Sequence, residues 1–248
     1  TGHTEFSGAG TNNALINQGT IAHTNVGAVI NGQSGFTFTN NGTVTISAGL
    51  LFLGTGSNNS VTNNGVITAT GGTIQIGGTA TSVFTNTATG IVSANGGTVT
   101  LGNGGSSWSN AGTLRALNGG IMNLGGNFTT AALTTGTIEA AGGSARITGN
   151  LNNAAATISP PSTGLFTLFG GTITDGQIAP GALSYSSSGG TFDGATLQGD
   201  LNLGSNGRLT LLNGATFTGA NASLVSGTLT FGSSATLTGK TLSLIHIS

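Results

Sequence analysis

The 248-residue chain combines abundant glycine with very few charges: Gly supplies 47 residues, and Asp, Glu, Lys and Arg make up 4 % of the sequence, where about 25 % is usual. A formal net charge of −1 provides no basic surface for nucleic acid, and the lack of Cys excludes disulfides, thiolate metal sites and cysteine nucleophiles. The positive mean hydropathy argues against an intrinsically disordered chain. No apolar run reaches the ~18 residues of a membrane helix.

The first half of the chain repeats a unit of about 23 residues. A Gly closes an Asn-containing turn in each unit, at Gly19, Gly42, Gly65, Gly90, Gly112 and Gly136. The first Asn of the turn forms a second column at Asn17, Asn40, Asn63, Asn86 and Asn110. Because stacked amides can bond one another and tolerate turn conformations, this column predicts a structural Asn ladder at one corner of successive coils.

Between these turns, apolar and polar residues alternate over four or five positions, as in the pairs Val44/Ile46 and Leu51/Leu53. Such alternation in segments rich in Val, Ile, Thr and Phe predicts strands. A helix is disfavoured because each Gly in a helix costs ~1 kcal/mol. The residues two positions before each turn's Asn, or its equivalent, predict an inward stack of Leu15, Phe38, Val61, Phe84, Trp108 and Leu133.

Three strands and three corners per unit predict an all-β fold. We expect a right-handed parallel β-helix (β-solenoid) with three short strands per coil of about 19–25 residues. One coil buries too few side chains to offset the entropy of ordering its residues. Stacking of coils is therefore obligatory.

The second half keeps the composition and shortens the repeat. The segment SPPSTG (159–164) interrupts the repeat, since Pro cannot donate a hydrogen bond to a β-ladder. After it, similar segments recur every 19 or 20 residues. We expect 1–158 to form coils of about 23 residues with the Asn-ladder corner, and 159–240 to continue the solenoid with coils of about 19–20.

The last residues, LSLIHIS (242–248), depart from the Gly/Thr/Asn-rich composition of the repeats and resemble translated sequencing-adapter read-through. We therefore predict that 241–248 is a non-native tail, which would leave His246 without meaning. The alternative is a final strand in which Leu242, Leu244 and Ile247 are exposed or point inward.

Units such as FTNNGTVTI, SNAGTLRALNGG and TTGTIEAAGG resemble the repeats of bacterial filamentous-haemagglutinin and autotransporter-passenger β-helices. The resemblance covers nearly the whole chain. It implies a structural or adhesive passenger or stalk segment without catalysis, secreted or displayed at the cell surface or outer membrane of a Gram-negative bacterium. It implies no cofactor, and as partners host or environmental glycans or surface proteins. Exposed solenoid ends also predict end-to-end self-association.

Three carboxylates leave an enzymatic alternative open. Asp175 and Asp193 lie one short coil apart, and Asp200 follows them. They look like the acids that bind Ca²⁺ or act as acid and base in β-helical polysaccharide lyases and hydrolases. Asp before Gly is also ordinary turn chemistry. Because the basic residues that grip acidic sugars are nearly absent, we prefer the structural interpretation, with a polysaccharide-degrading enzyme as the alternative.

Arg115 and Glu139 fall one coil apart in one outward column and predict an inter-coil ion pair, worth at most ~1 kcal/mol at a surface. His3 and His23 lack a partner at ligand spacing, so we expect no metal site.

Thr-x-Thr alternation on one side of every coil would suit an ice-binding face. Thr43 and Thr98 each begin such a segment, but these segments belong to different strands of their coils. Gln75, Arg115 and Glu139 interrupt both columns, so the sequence disfavours this function.

Overall fold

A computed structural model describes residues 3–24, 27–232 and 237–245. The first six coils contain β1 (His3–Thr11), β2 (Ala14–Asn17), β3 (Thr20–His23), β4 (Gly27–Ser34), β5 (Thr37–Asn40), β6 (Thr43–Ile46), β7 (Leu50–Leu53), β8 (Ser60–Asn63), β9 (Val66–Ala69), β10 (Thr73–Ile76), β11 (Val83–Asn86), β12 (Ile91–Asn95), β13 (Thr98–Leu101), β14 (Ser107–Asn110), β15 (Thr113–Leu117), β16 (Ile121–Leu124), β17 (Asn127–Thr129), the helix α1 (Thr130–Thr134) and β18 (Thr137–Glu139).

The remaining strands have two to five residues. They are β19 (Ser144–Ile147), β20 (Asn150–Asn152), β21 (Thr157–Ile158), β22 (Phe166–Leu168), β23 (Thr172–Thr174), β24 (Gln177–Ile178), β25 (Leu183–Tyr185), β26 (Thr191–Asp193), β27 (Thr196–Leu197), β28 (Leu201–Ser205), β29 (Arg208–Leu212), β30 (Thr216–Phe217), β31 (Asn221–Val225), β32 (Thr228–Phe231) and β33 (Thr241–Ile245).

Through most of the chain every third strand joins the same parallel sheet, which confirms the predicted β-solenoid, and the solenoid has about ten coils. Sheet B, formed by β2, β5, β8 and every third strand to β32, has eleven strands without a break. Sheet A runs from β1 to β25, and sheet E (β28, β31, β33) follows on the same side of the coil. Sheet C runs from β3 to β18, and sheet D (β21 to β30) follows it.

The interior holds the alternating apolar residues that the sequence predicts. Both members of the pairs Val44/Ile46 and Leu51/Leu53 are buried, as are Phe38 and Phe84. The Trp108 ring also lies in the core, where its indole N–H donates to the Gly125 carbonyl at 2.8 Å. A buried indole needs such a partner, and this bond explains how the single Trp fits an interior position.

The Gly column marks a corner where successive turns nearly touch. A Cβ atom added to Gly42 would lie 2.1 Å from the Gly19 carbonyl oxygen, and one added to Gly65 would lie 2.1 Å from that of Gly42. Both distances are far below van der Waals contact, so no side chain fits there. The repetition of Gly is therefore a steric requirement of stacking.

The inward stack differs from the prediction at its last member. Trp108 is in register with Phe128, and their rings stack with centroids 4.6 Å apart. Leu133 instead lies in α1, which is inserted between β17 and β18, and is buried there. Leu133 therefore points inward but does not hold the predicted place in the stack, because counting back from Gly136 assumed an unbroken repeat. Leu15, at the first coil, is only partly buried.

Coil length falls in the second half. On sheet B, Phe38 pairs with Val61, a step of 61 − 38 = 23, whereas Thr172 pairs with Thr191, a step of 191 − 172 = 19. The segment 241–245 forms β33, in register with β31, with Leu242 and Leu244 exposed. Residues 246–248, including His246, lie outside the described residues, and the non-native origin of the tail stays a prediction.

Candidate functional site

The Asn ladder runs through the corner between sheets B and C. Each Asn Nδ2 donates to the Oδ1 of the next amide, from Asn17 to Asn40 at 2.7 Å and then at 2.8 Å through Asn63 and Asn86 to Asn110. All five side chains are buried. The ladder is thus part of the interior and leaves these amides no access to a ligand.

The ladder changes at α1. The Nδ2 of Asn110 is buried and has no hydrogen-bond partner among the described residues. Thr130 takes the next position in register, and its hydroxyl donates to the Asn153 Oδ1 at 2.6 Å. Asn153 is also buried, and its Nδ2 donates to the Gln177 carbonyl at 2.8 Å. The sequence column did not include Thr130 and Asn153 because the inserted helix shifts the spacing.

Arg115 and Glu139 face each other across neighbouring strands of sheet C, as their predicted register requires. The described residues nevertheless contain no ion pair between them, and the Arg115 Nε is buried without a hydrogen-bond partner. The predicted register of Arg115 and Glu139 is therefore correct, but the predicted ion pair between these two described residues is absent. A shared column places the two Cα atoms, but side-chain rotamers decide whether the charged groups meet.

The structure does not bring the three acids together. Asp175 and Asp193 meet at the corner between sheets B and D, where the Asp175 N–H donates to the Asp193 carbonyl at 2.8 Å. Asp175 has φ +59° and its side chain lies against Gly194, as in a turn. Asp200 lies beyond the C-terminal end of β27, at a different corner, and accepts hydrogen bonds from Asn221. Within the described residues, no group of three His, Cys, Asp or Glu side chains could hold a metal ion.

The outward side of sheet B carries a regular array of side chains. From β5 to β23 it presents two columns of uncharged residues. The first contains Thr37, Ser60, Val83, Ser107, Asn127, Asn150 and Thr172, and the second contains Thr39, Thr62, Thr85, Ser109, Thr129, Asn152 and Thr174. We call these fourteen residues the hydroxyl face.

Most hydroxyls of this face are free to bind another molecule. Ser60 bonds Thr37 at 3.2 Å, but the hydroxyls of Thr39, Thr62 and Thr85 have no hydrogen-bond partner in the part of the chain that the structure describes. Strands ~4.8 Å apart and side chains ~6.6 Å apart along each strand set the spacing of the array. The Thr-x-Thr segments that begin at Thr43 and Thr98 belong instead to sheets C and A. The hydroxyl face has no continuous Thr-x-Thr pattern in the sequence, because Ser, Asn and Val replace Thr at several coils.

The only helix of the described residues is the five-residue α1, far too short and polar to cross a bilayer. Comparisons with protein-family models, with curated proteins and with solved structures gave no significant match for this chain.

Proposed function

We propose that this chain is a structural and adhesive segment, of the filamentous-haemagglutinin or autotransporter-passenger type, in a secreted or surface-displayed bacterial protein. The observation that supports it is sheet B, whose eleven-strand ladder joins all the coils and carries the hydroxyl face on its outside. Ten coils at ~4.8 Å make a rod about 48 Å long. Such a rod serves as a spacer and offers a long, uncharged side for adhesion.

The chemistry of the hydroxyl face limits what it would bind. It has no charged residue from β5 to β23, so acidic glycans, nucleic acid and anionic lipid have no partner group there. Hydroxyls and amides each donate and accept, which suits a neutral surface that is itself covered with hydroxyls or water. Neutral polysaccharides and ice meet that description.

A matched pair of double variants tests adhesion. Thr62→Lys with Thr85→Lys adds two charges to the hydroxyl face, and Thr45→Lys with Thr68→Lys adds the same charges to neighbouring coils of sheet C. Fluorescently labelled protein is incubated with crystalline cellulose, chitin, starch granules and ice, and the bound fraction is measured. We expect wild type and the sheet C variant to bind at least one surface, and the hydroxyl-face variant to lose most of that binding. Equal binding by both variants, or none by wild type, would refute adhesion through this face.

The enzymatic alternative has no structural observation in its favour, since Asp175 and Asp193 lie at one corner and Asp200 at another. Release of reducing ends from neutral or acidic polysaccharides by wild type, lost in Asp193→Asn, would restore it.

We also propose that the chain self-associates through the end of the solenoid formed by β32 and β33. The inward position occupied by Leu211 in β29 is occupied by Phe231 in β32, where the side chain is 42 % exposed. Leu244 of β33 occupies the same position as the buried Leu224 and is 69 % exposed. Apolar positions of the core are therefore open to solvent at this end, and a second copy could cover them.

A further inference from the structure

The stacking is interrupted on one side of the molecule, between sheet A and sheet E. The last strand of sheet A, β25, and the first strand of sheet E, β28, occupy consecutive coils, and Cα atoms of the two strands come within 8 Å. No ladder joins them within the described residues. A cavity of about 340 Å³ opens beside this break, lined in part by Leu183, Ser184, Tyr185, Asp200, Asn202 and Leu203. Its size is that of a small-ligand pocket.

The width of the break excludes an inserted peptide strand. A strand bonded to both β25 and β28 would hold them about 9.6 Å apart, which is two ladder spacings of ~4.8 Å. The observed approach is closer than that, yet it forms no ladder. Backbone groups along these two edges are therefore left to water or to a ligand whose donors and acceptors need not follow strand geometry.

Tyr185 gives the cavity an aromatic wall. Its side chain is half-buried and follows Leu168 in the inward column, and its ring centroid lies 6.1 Å from that of Phe192. The hydroxyl oxygen is buried and has no hydrogen-bond partner among the described residues. Burial raises the pKa of this hydroxyl well above its ordinary value, so it stays a protonated donor. Because this oxygen is closed to solvent, a ligand in the cavity would contact Tyr185 through other atoms of the residue.

Asp200 supplies the one charge of the lining. Its Oδ1 accepts from the Asn221 N–H at 2.9 Å and its Oδ2 from the Asn221 Nδ2 at 3.1 Å. The backbone N–H and the side chain of Asn221 lower the pKa of this exposed carboxyl, which is ionised at neutral pH. An ionised carboxylate has about four acceptor sites, so it can also accept a hydrogen bond from a ligand hydroxyl. Among the described residues, no cationic side chain lines the cavity, which disfavours phosphates and acidic sugars as ligands.

We propose that this cavity, which we call the Tyr185 cavity, binds a neutral saccharide. An aromatic wall packs against the C–H face of a sugar ring, and a carboxylate accepts hydrogen bonds from its hydroxyls. Hydroxyls both donate and accept, so they can satisfy the N–H and C=O groups of the two strand edges. The site lies apart from the hydroxyl face and does not depend on the proposed adhesion by that face.

The chain contains a single Tyr, which makes the site directly observable. Protein labelled with 3-fluorotyrosine gives one ¹⁹F resonance, from Tyr185. It is titrated with maltose, cellobiose, lactose, mannobiose and chitobiose, and with putrescine as a cationic contrast. We expect a saturable shift with at least one disaccharide and none with putrescine. Asp200→Asn should weaken the apparent affinity at least tenfold, since one charge-assisted bond is lost. Asp175→Asn, the same change in a turn outside the cavity, should leave it unchanged.

A second variant tests the aromatic wall without the label. Tyr185→Leu restores the residue type of the preceding coil, Leu168, so the solenoid should fold, which circular dichroism checks. Disaccharide binding, measured by saturation-transfer NMR of the sugar, should disappear in Tyr185→Leu and persist in Phe166→Leu, a core position outside the cavity lining. No shift with any disaccharide, a shift by putrescine alone, or full affinity in Asp200→Asn would each overturn the proposal. If disaccharide binding fails these tests while adhesion persists in Tyr185→Leu, the proposal for the Tyr185 cavity is wrong and the proposed adhesive function is unaffected.

Discussion

Asn63 shows what a single ladder residue contributes. Its Nδ2 donates to Asn86 and to the Ile91 carbonyl, and its Oδ1 accepts from Asn40, all inside the core. Asn63→Ala would remove these bonds and leave buried polar groups of two neighbouring coils unsatisfied. We expect the variant to lose about 2–4 kcal/mol of unfolding free energy, measured by urea denaturation followed by circular dichroism.

The adjacent residue provides the control for this change. The Asn64 side chain donates to Asn41 at 2.8 Å and accepts from the Thr87 hydroxyl at 2.9 Å, both outside the core. Because water can replace both bonds, Asn64→Ala should cost less than about 1 kcal/mol. Equal destabilisation by the two variants would mean that the turn geometry, and not the buried amide ladder, stabilises this corner.

Tyr185 makes the stability of the solenoid sensitive to alkaline pH. Burial raises the pKa of its hydroxyl in the folded protein above the value of ~10 in the unfolded chain. This contribution is fully present below pH ~10 and is lost as the pH rises further, because the unfolded chain then releases a proton that the folded chain keeps. Tyrosinate absorbance should therefore appear together with the loss of circular dichroism.

Tyr185→Phe is the control for this pH dependence. The variant has no proton to release at this position, so its stability should fall less steeply above pH ~10 than that of wild type. Tyrosinate absorbance that develops at its ordinary pH in folded protein would contradict the burial of the hydroxyl.

At the scale of elements, α1 interrupts the Asn ladder, and side-chain hydrogen bonding resumes from Thr130. Thr130, the first helical residue, bonds Asn153 of the next coil, while the Asn110 Nδ2 of the preceding coil has no partner among the described residues. Thr130→Val keeps the shape of the side chain and removes the hydroxyl that bonds the buried Asn153 Oδ1. We expect a loss of about 1–3 kcal/mol in unfolding free energy.

Thr129 is the matched comparison for Thr130. It precedes α1 on the exposed side of sheet B, and its hydroxyl has no partner in the described part of the chain. Thr129→Val should stay within about 0.5 kcal/mol of wild type, since exposed positions tolerate such changes. Urea midpoints for the two variants decide whether the bond to Asn153 matters.

The elements differ in how far the sequence alone could place them. Alternation located the strands of the first five coils and their inward residues, because period 2 and a constant step specify both face and register. It failed at Leu133, because α1 lies between β17 and the corner at Gly136, so the coil keeps its length while the inward position next to Trp108 moves to Phe128. The Tyr185 cavity was also invisible, because a broken ladder between β25 and β28 leaves the pattern of apolar residues intact. The three-residue β25 and the two-residue strands of sheet D also give too few residues for a pattern to show such a break.

For the whole molecule, the consequence of a solenoid is that each coil depends on its neighbours. Stability is then a sum of coil and interface terms, and coils at the ends have one interface fewer. The exposed core positions Phe231 and Leu244 lie at such an end. Hydrogen exchange should therefore be fastest there and slowest in the central coils, where ladders and core are continuous on both sides.

The same end accounts for the expected self-association. Sedimentation velocity should show larger species as the concentration of the chain rises, because association covers Phe231 and Leu244. Phe231→Lys together with Leu244→Lys should shift the protein toward monomer, since a charge at each position opposes burial.

Val83→Lys is the control: Val83 is 45 % exposed but lies on the side of a central coil. If Val83→Lys abolishes association as effectively as the end variant, the contact is lateral, through the hydroxyl face, and the molecules pack side by side. If wild type remains a monomer at all concentrations, the open end alone does not bury enough apolar area to offset the entropy of association.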